Sequence, residues 1–180
     1  NGISTVNGHS YAEKTTNNTN FALLVSEKFT EPFKEPIQYG QHIARLANML
    51  GGGILVQRFG DLLDGRRSTP ERIKASTIRP TLACATPGDL SLVIPYRQMT
   101  SIIEMLQALD KVCPGTASRY TLLYGIEVKF YSARVKLTNE LETEGVKNLF
   151  AIGDGAGVTR GLIQASASGV HAARTICARG

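Results

Sequence analysis

Residues 149–174, LFAIGDGAGVTRGLIQASASGVHAAR, constrain the fold more tightly than any other stretch of the chain. Leu149, Phe150, Ala151 and Ile152 are apolar and uncharged, the pattern of a strand buried on both faces. Gly153, Gly155 and Gly157 follow, with Asp154 and Ala156 between them, so the turn can take positive φ and a ligand can approach the backbone. From Gly161 the composition becomes helical: Leu162, Ala165, Gly169, Ala172, Ala173 and Ile176 recur at spacings of three and four, a narrow face suited to close packing on a sheet. A helix starting around Gly161, Leu162 and Ile163 would offer unpaired N–H groups and a positive dipole end to an electron-rich ligand atom. The Asp154 carboxylate would accept hydrogen bonds from ligand hydroxyls. The same residues also fit a simpler role, in which Asp154 closes the turn and caps the helix.

The chain's 180 residues are enough for one good core, or for a compact domain plus part of another. No apolar run reaches the roughly 18 residues that a membrane span needs, and NGISTVNGHS at the start is too polar for a signal peptide, so the expected compartment is the cytoplasm. Twenty Lys and Arg against fifteen Asp and Glu give a formal charge of +5, but the cations are scattered, which argues against a nucleic-acid partner. Cys84, Cys113 and Cys177 have neither the number nor the spacing of a disulfide framework or zinc site; reduced, partly buried thiols are expected. His9, His42 and His171 lack partners at metal-ligand spacing, and no metal site is expected.

Residues 1–20 read as loop, and the alternation of Phe21, Leu23 and Val25 as a short strand. Ile43, Leu46, Ala47 and Leu50 mark a helix over about 37–50, stopped by Gly51, Gly52 and Gly53. Ile54 to Val56 suggest a buried strand, and Asp61 to Leu63 a short helical turn. Residues 64–79 carry Arg66, Arg67, Arg72, Lys74 and Arg79: a solvated loop, or a face for an anionic substrate or cofactor phosphate. A second helix runs from Met99 through Ile102, Ile103, Leu106 and Leu109 to Lys111, with Met99 and Met105 as core filling. Leu122, Tyr124, Ile126, Val128 and Phe130 alternate with Leu123, Gly125, Glu127, Lys129 and Tyr131, predicting a ten-residue strand paired antiparallel with residues 21–26. Ala133, Val135 and Leu137 extend the alternation into another strand. The expected fold is α+β, a small, mostly antiparallel sheet with two main helices over residues 1–132, followed by a strand–turn–helix unit over 133–180.

The strand, Gly-Asp elbow and small-residue helix resemble the C-terminal flavin motif of the glutathione-reductase-like, two-dinucleotide-binding flavoproteins. Other marks are NGIS at the start, Asn20, QRFGDLL at 57–63, Arg79-Pro80 and GIEVKFYSARVKL at 125–137, with Gly125, Ile126, Glu127, Lys129, Ser132, Arg134, Val135 and Lys136 in the frame. Together they are similar to the later half of bacterial FAD-dependent dehydrogenases described as NAD- or FAD-utilising oxidoreductases. That resemblance implies FAD as cofactor, with Gly153, Asp154, Gly155 and Ala156 at its ribityl chain and Gly161, Leu162 and Ile163 facing the flavin carbonyl. It implies that 133–180 ends a Rossmann-like FAD domain and that 1–132 covers the substrate side. NAD(P) is a further option. Glu127 and Arg134 are candidate catalytic groups. No GxGxxG fingerprint occurs in the chain. The expectation is therefore a fragment, inactive and flavin-free alone, whose partners are the missing N-terminal half of its parent and an unidentified small-molecule substrate. The alternatives are a cofactor-free binding or structural domain, and part of a tRNA-modifying flavoprotein.

Overall fold

A computed structural model describes residues 2–9, 11–130 and 132–179. Asn1, at the head of the NGIS mark, and Tyr131, the last position of the long alternation, lie outside them. The chain divides into two compact units, Asn1–Val128 and Lys129–Gly180.

In the first unit, helix α1 (Pro36–Gly51) begins with proline at its first position and ends on Gly52 at φ 66°. Proline there loses no hydrogen bond, and glycine takes the left-handed cap without a Cβ penalty. Strand β1 (Leu55–Arg58) leads directly into helix α2 (Phe59–Leu63). Helix α3 (Pro70–Lys74) is capped by the Thr69 hydroxyl, which accepts from the Arg72 N–H. Strand β2 (Thr86–Pro87), a 3-10 turn over Leu90–Leu92, helix α4 (Tyr96–Asp110) and strand β3 (Leu122–Gly125) complete the unit. The sheet has the order β2-β1-β3, with β2 parallel and β3 antiparallel to β1. Leu55 and Phe59 are each 1 % exposed, as is Leu106 of α4. Burying each such side chain is worth roughly 1.5–3 kcal/mol, so these residues of β1, α2 and α4 are a main support of the unit.

The α+β class is as expected, and both main helices lie where the periodicity put them, but the sheet partner differs. Residues 21–26 form no strand: Phe21 and Leu24 are exposed and Leu23 alone packs against the core. Strand β1 takes the place beside β3, pairing Leu55 with Gly125 through Arg58 with Leu122, because its buried Leu55 and Val56 gain more from a central position. The chain turns into α2 after Arg58, so β1 offers β3 four partners and the ten-residue alternation ends at Gly125. Beyond it, the Ile126 carbonyl accepts from the Val6 N–H at 3.0 Å. Met99 is buried, as expected, whereas Met105 lies on the outer side of α4, 49 % exposed. All three cysteines are exposed, contrary to the partial burial expected of them. No helix of the described residues is long and apolar enough to cross a membrane.

The second unit is built on α5 (Leu162–Arg179). The alternation of Ala133, Val135 and Leu137 yields one isolated bridge, Leu137 to Thr143, and Val135 is exposed. Arg179 ties the helix end to the preceding loops: it pairs with Glu142 at 2.7 Å and Glu140 at 3.2 Å and stacks over Phe150 at 5.2 Å. A cation in the last helical turn also complements the helix dipole.

Candidate functional site

The glycine elbow is present, but its leading segment is not a buried strand. Phe150 makes one isolated bridge to Glu142, while Leu149 and Ile152 are 50 % and 45 % exposed. A strand buried on both faces needs ladder partners on each side, and the described residues give segment 149–152 one bridge. Gly153 takes φ 72° and Gly157 φ 69°, conformations that disfavour a side chain. At Gly157 a Cβ would also come within 2.9 Å of the Arg134 Cα, because the 132–134 backbone crosses the elbow there. The Val135 N–H donates to the Ala156 carbonyl at 3.3 Å on the same crossing. Over Gly155 a Cβ would meet nothing within 4 Å, so the outer side of the elbow is open.

Asp154 opens a 3-10 turn, Asp154–Ala156, and is exposed. The Thr159 hydroxyl donates to its Oδ1 at 2.6 Å, and the Gly161 N–H donates to the same oxygen at 3.2 Å. The carboxylate therefore closes the 154–161 loop; its second oxygen takes part in neither bond. Helix α5 starts immediately after Gly161. Leu162 and Ile163, 89 % and 83 % exposed, stand at that start.

Ser168 is a site residue that periodicity did not single out. It is 8 % exposed, accepts the Gly153 N–H at 3.0 Å and donates to the Ala165 carbonyl at 2.7 Å, fixing elbow to helix. Its signal was a serine at helical spacing from Ala165 and Ala172. The packed face of α5 runs through Ala165, Ser168, Gly169 and Ala172, not through Leu162, Ala173 or Ile176, which are exposed. On that face Gly169 lies against Ile152, where an added Cβ would make ordinary contact at 3.7 Å from the Ile152 Cδ1.

Of the two candidate catalytic groups, Glu127 is half-buried in the first unit and Arg134 is exposed in the second. Arg134 reaches the elbow through its backbone, as the Gly157 contact shows.

The first unit holds a buried polar cluster at the end of β1. Gln57 and Asp61 are 0 % exposed and Ser68 1 %. Gln57 donates to the Arg66 carbonyl at 2.9 Å and to Asp89 Oδ1 at 3.3 Å, and accepts the Leu90 N–H at 2.8 Å. Asp61 Oδ1 accepts from Arg66 Nε at 3.0 Å and Oδ2 from the Ser68 hydroxyl at 2.8 Å. Asp64 binds Arg66 at 3.0 Å and also Arg119, so Arg66 of this segment is committed to local carboxylates. Nearby, burial pushes the Tyr124 phenol above its ordinary pKa, although groups of Thr81 and Leu82 oppose the shift. Its hydroxyl is sealed from solvent and makes no hydrogen bond of good geometry with a described residue. Polar residues inside the apolar frame ILVQRFGDLL were the sequence signal for this cluster.

A family model for FAD-dependent protein, C-terminal domain-like, matches residues 1–130. Over 181 residues the chain is 32 % identical to an uncharacterized protein of Clostridium beijerinckii, an alignment that covers 94 % of this chain and 33 % of that relative. The chain thus spans about a third of the relative's length. The family match ends before the glycine elbow and includes the whole polar cluster around Asp61. On that match the chain belongs to the FAD-dependent protein, C-terminal domain-like family.

Proposed function

We propose that the chain acts as the C-terminal part of a longer FAD-dependent oxidoreductase, with the elbow at Asp154 holding the ribityl chain of the flavin as in the glutathione-reductase-like group. The observation that carries the reading is the exposed Asp154 carboxylate, fixed by Thr159 and Gly161 directly before the exposed start of α5. The donor set fits a polyol next to a polar ring: a carboxylate accepts from hydroxyls, the first N–H groups of α5 donate to a carbonyl, and the space over Gly155 admits both. A bound flavin would supply hydride or electron transfer.

The chain's own residues then have separate tasks. Asp154 orients the polyol, Gly153 and Gly155 let it approach, and Ala156 packs beneath them at 7 % exposure. The start of α5, at Gly161, Leu162 and Ile163, would offer its positive dipole end to an electron-rich atom of the ligand. Leu162 and Ile163 are suited to exclude water from that end. The first unit, which carries the family match, is assigned the binding of substrate.

The reading is tested by purifying the full-length protein and recording its visible spectrum. Flavin bands in the wild type that fall by most of their intensity in Asp154→Asn support it. A colourless full-length protein, or an Asp154→Asn variant with undiminished bands, contradicts it.

A further inference from the structure

Strand β1 ends on a cation that the protein does not saturate. The Arg58 side chain is 16 % exposed, and its guanidinium carbon lies 5.2 Å over the Tyr120 ring. Among the described residues its one hydrogen bond runs from Nη1 to the Arg72 carbonyl, at 3.3 Å. Its Nε is sealed from solvent and has no hydrogen-bond partner among the described residues. Asp61 Oδ2 comes only to 3.9 Å, because that oxygen already accepts the Ser68 hydroxyl while Arg66 takes Oδ1. A guanidinium carries five N–H donors in a rigid planar fork, and buried donors are rarely left unmatched.

The local charge balance points in the same direction. Asp61 and Asp64 face three guanidiniums, those of Arg58, Arg66 and Arg119, which leaves an excess of one positive charge. Tyr120 is 40 % exposed, so the stacked pair extends to the surface. A planar fork of this kind matches the oxygens of a carboxylate or phosphate in bidentate fashion.

We propose that Arg58 anchors an oxyanion site, in which the carboxylate or phosphate of a small ligand binds the guanidinium fork above the Tyr120 ring. The site lies within the first unit and uses no residue of the glycine elbow, so it stands or falls independently of the flavin reading.

The test is the thermal unfolding midpoint of the full chain, titrated separately with inorganic pyrophosphate and with succinate at constant ionic strength. A saturable rise is expected with at least one anion, and the one that acts more strongly assigns the ligand to phosphate or carboxylate chemistry. Arg58→Lys keeps the charge but loses the fork, and should weaken the apparent Kd at least about tenfold, while Arg97→Gln on α4 should leave it unchanged. If Arg58→Lys does not fold, Tyr120→Leu provides the comparison, with a several-fold weakening expected. No saturable shift with either anion overturns the proposal. So does an affinity unaltered in the folded Arg58→Lys or Tyr120→Leu variant.

Discussion

Asp61 and Asp154 are both aspartates beside a glycine, yet their surroundings give them opposite duties. Asp61 is fully buried, with Arg66 on one oxygen and Ser68 on the other. Arg66 is half exposed and keeps Asp64 as a partner, whereas the buried Ser68 hydroxyl loses its acceptor, so Asp61→Ala should lower stability by about 1–3 kcal/mol in urea unfolding. Asp154 is exposed and closes its loop through Thr159. Thr159→Val should cost about 1 kcal/mol in the same measurement, and Thr159→Ser, which retains the hydroxyl, much less. The prominence of Asp154 was legible because glycines on both sides announce a turn. That of Asp61 was not, since a charged residue in a short apolar frame reads as the solvent side until its partners Arg66 and Ser68, five and seven residues on, are seen to fold back over it.

Helices were readable in extent, whereas strands were readable in place at 54–56 and from Leu122 but not in length or pairing, for a physical reason visible in β1 and β3. Helices α1 and α4 are set by local spacing and local stop signals such as Gly52. Strand β3 is as long as its partner allows, and β1 gives way to α2 after four residues. The close approach of that turn to the 119–121 segment predicts a further sensitivity: a Cβ at Gly60 would lie 2.9 Å from both the Arg119 Cβ and its carbonyl oxygen. Gly60→Ala should therefore destabilise by about 1–3 kcal/mol in calorimetry, the usual cost of overpacking. In the second unit the join between α5 and the 137–150 loops is pH-dependent. The Asn148 backbone N–H, and next the Arg179 guanidinium, hold the Glu142 carboxyl below its ordinary pKa of 4.5. A depressed folded pKa means that this stabilisation is complete above about pH 4.5 and is lost as the pH falls through the lower folded value. Unfolding followed across pH 3–6, a range of about three units around that value, should show a smaller acid dependence in Glu142→Gln than in the wild type.

Across the chain, the resemblance rests on the elbow, which lies outside the family match, and on marks such as NGIS and QRFGDLL, which lie inside it. Residues 1–130 carry the membership, while the proposed flavin contact sits at residues 153–163. Sequence alone made the elbow prominent because glycines and an aspartate form a short local pattern. The matched first unit offers only scattered marks, such as QRFGDLL and GIEVKF, among its helices and short strands. Since the chain spans about a third of its Clostridium beijerinckii relative, the decisive assay belongs in the full-length protein. That assay is a titration of the flavin-stripped full-length protein with FAD, followed by quenching of flavin fluorescence, in the wild type and in Asp154→Asn. Loss of a charge-assisted hydrogen bond worth roughly 1.5–3 kcal/mol predicts saturable binding that weakens by about 10- to 100-fold in the variant. Equal affinities in the two proteins, or no saturable binding in the wild type, would contradict the account.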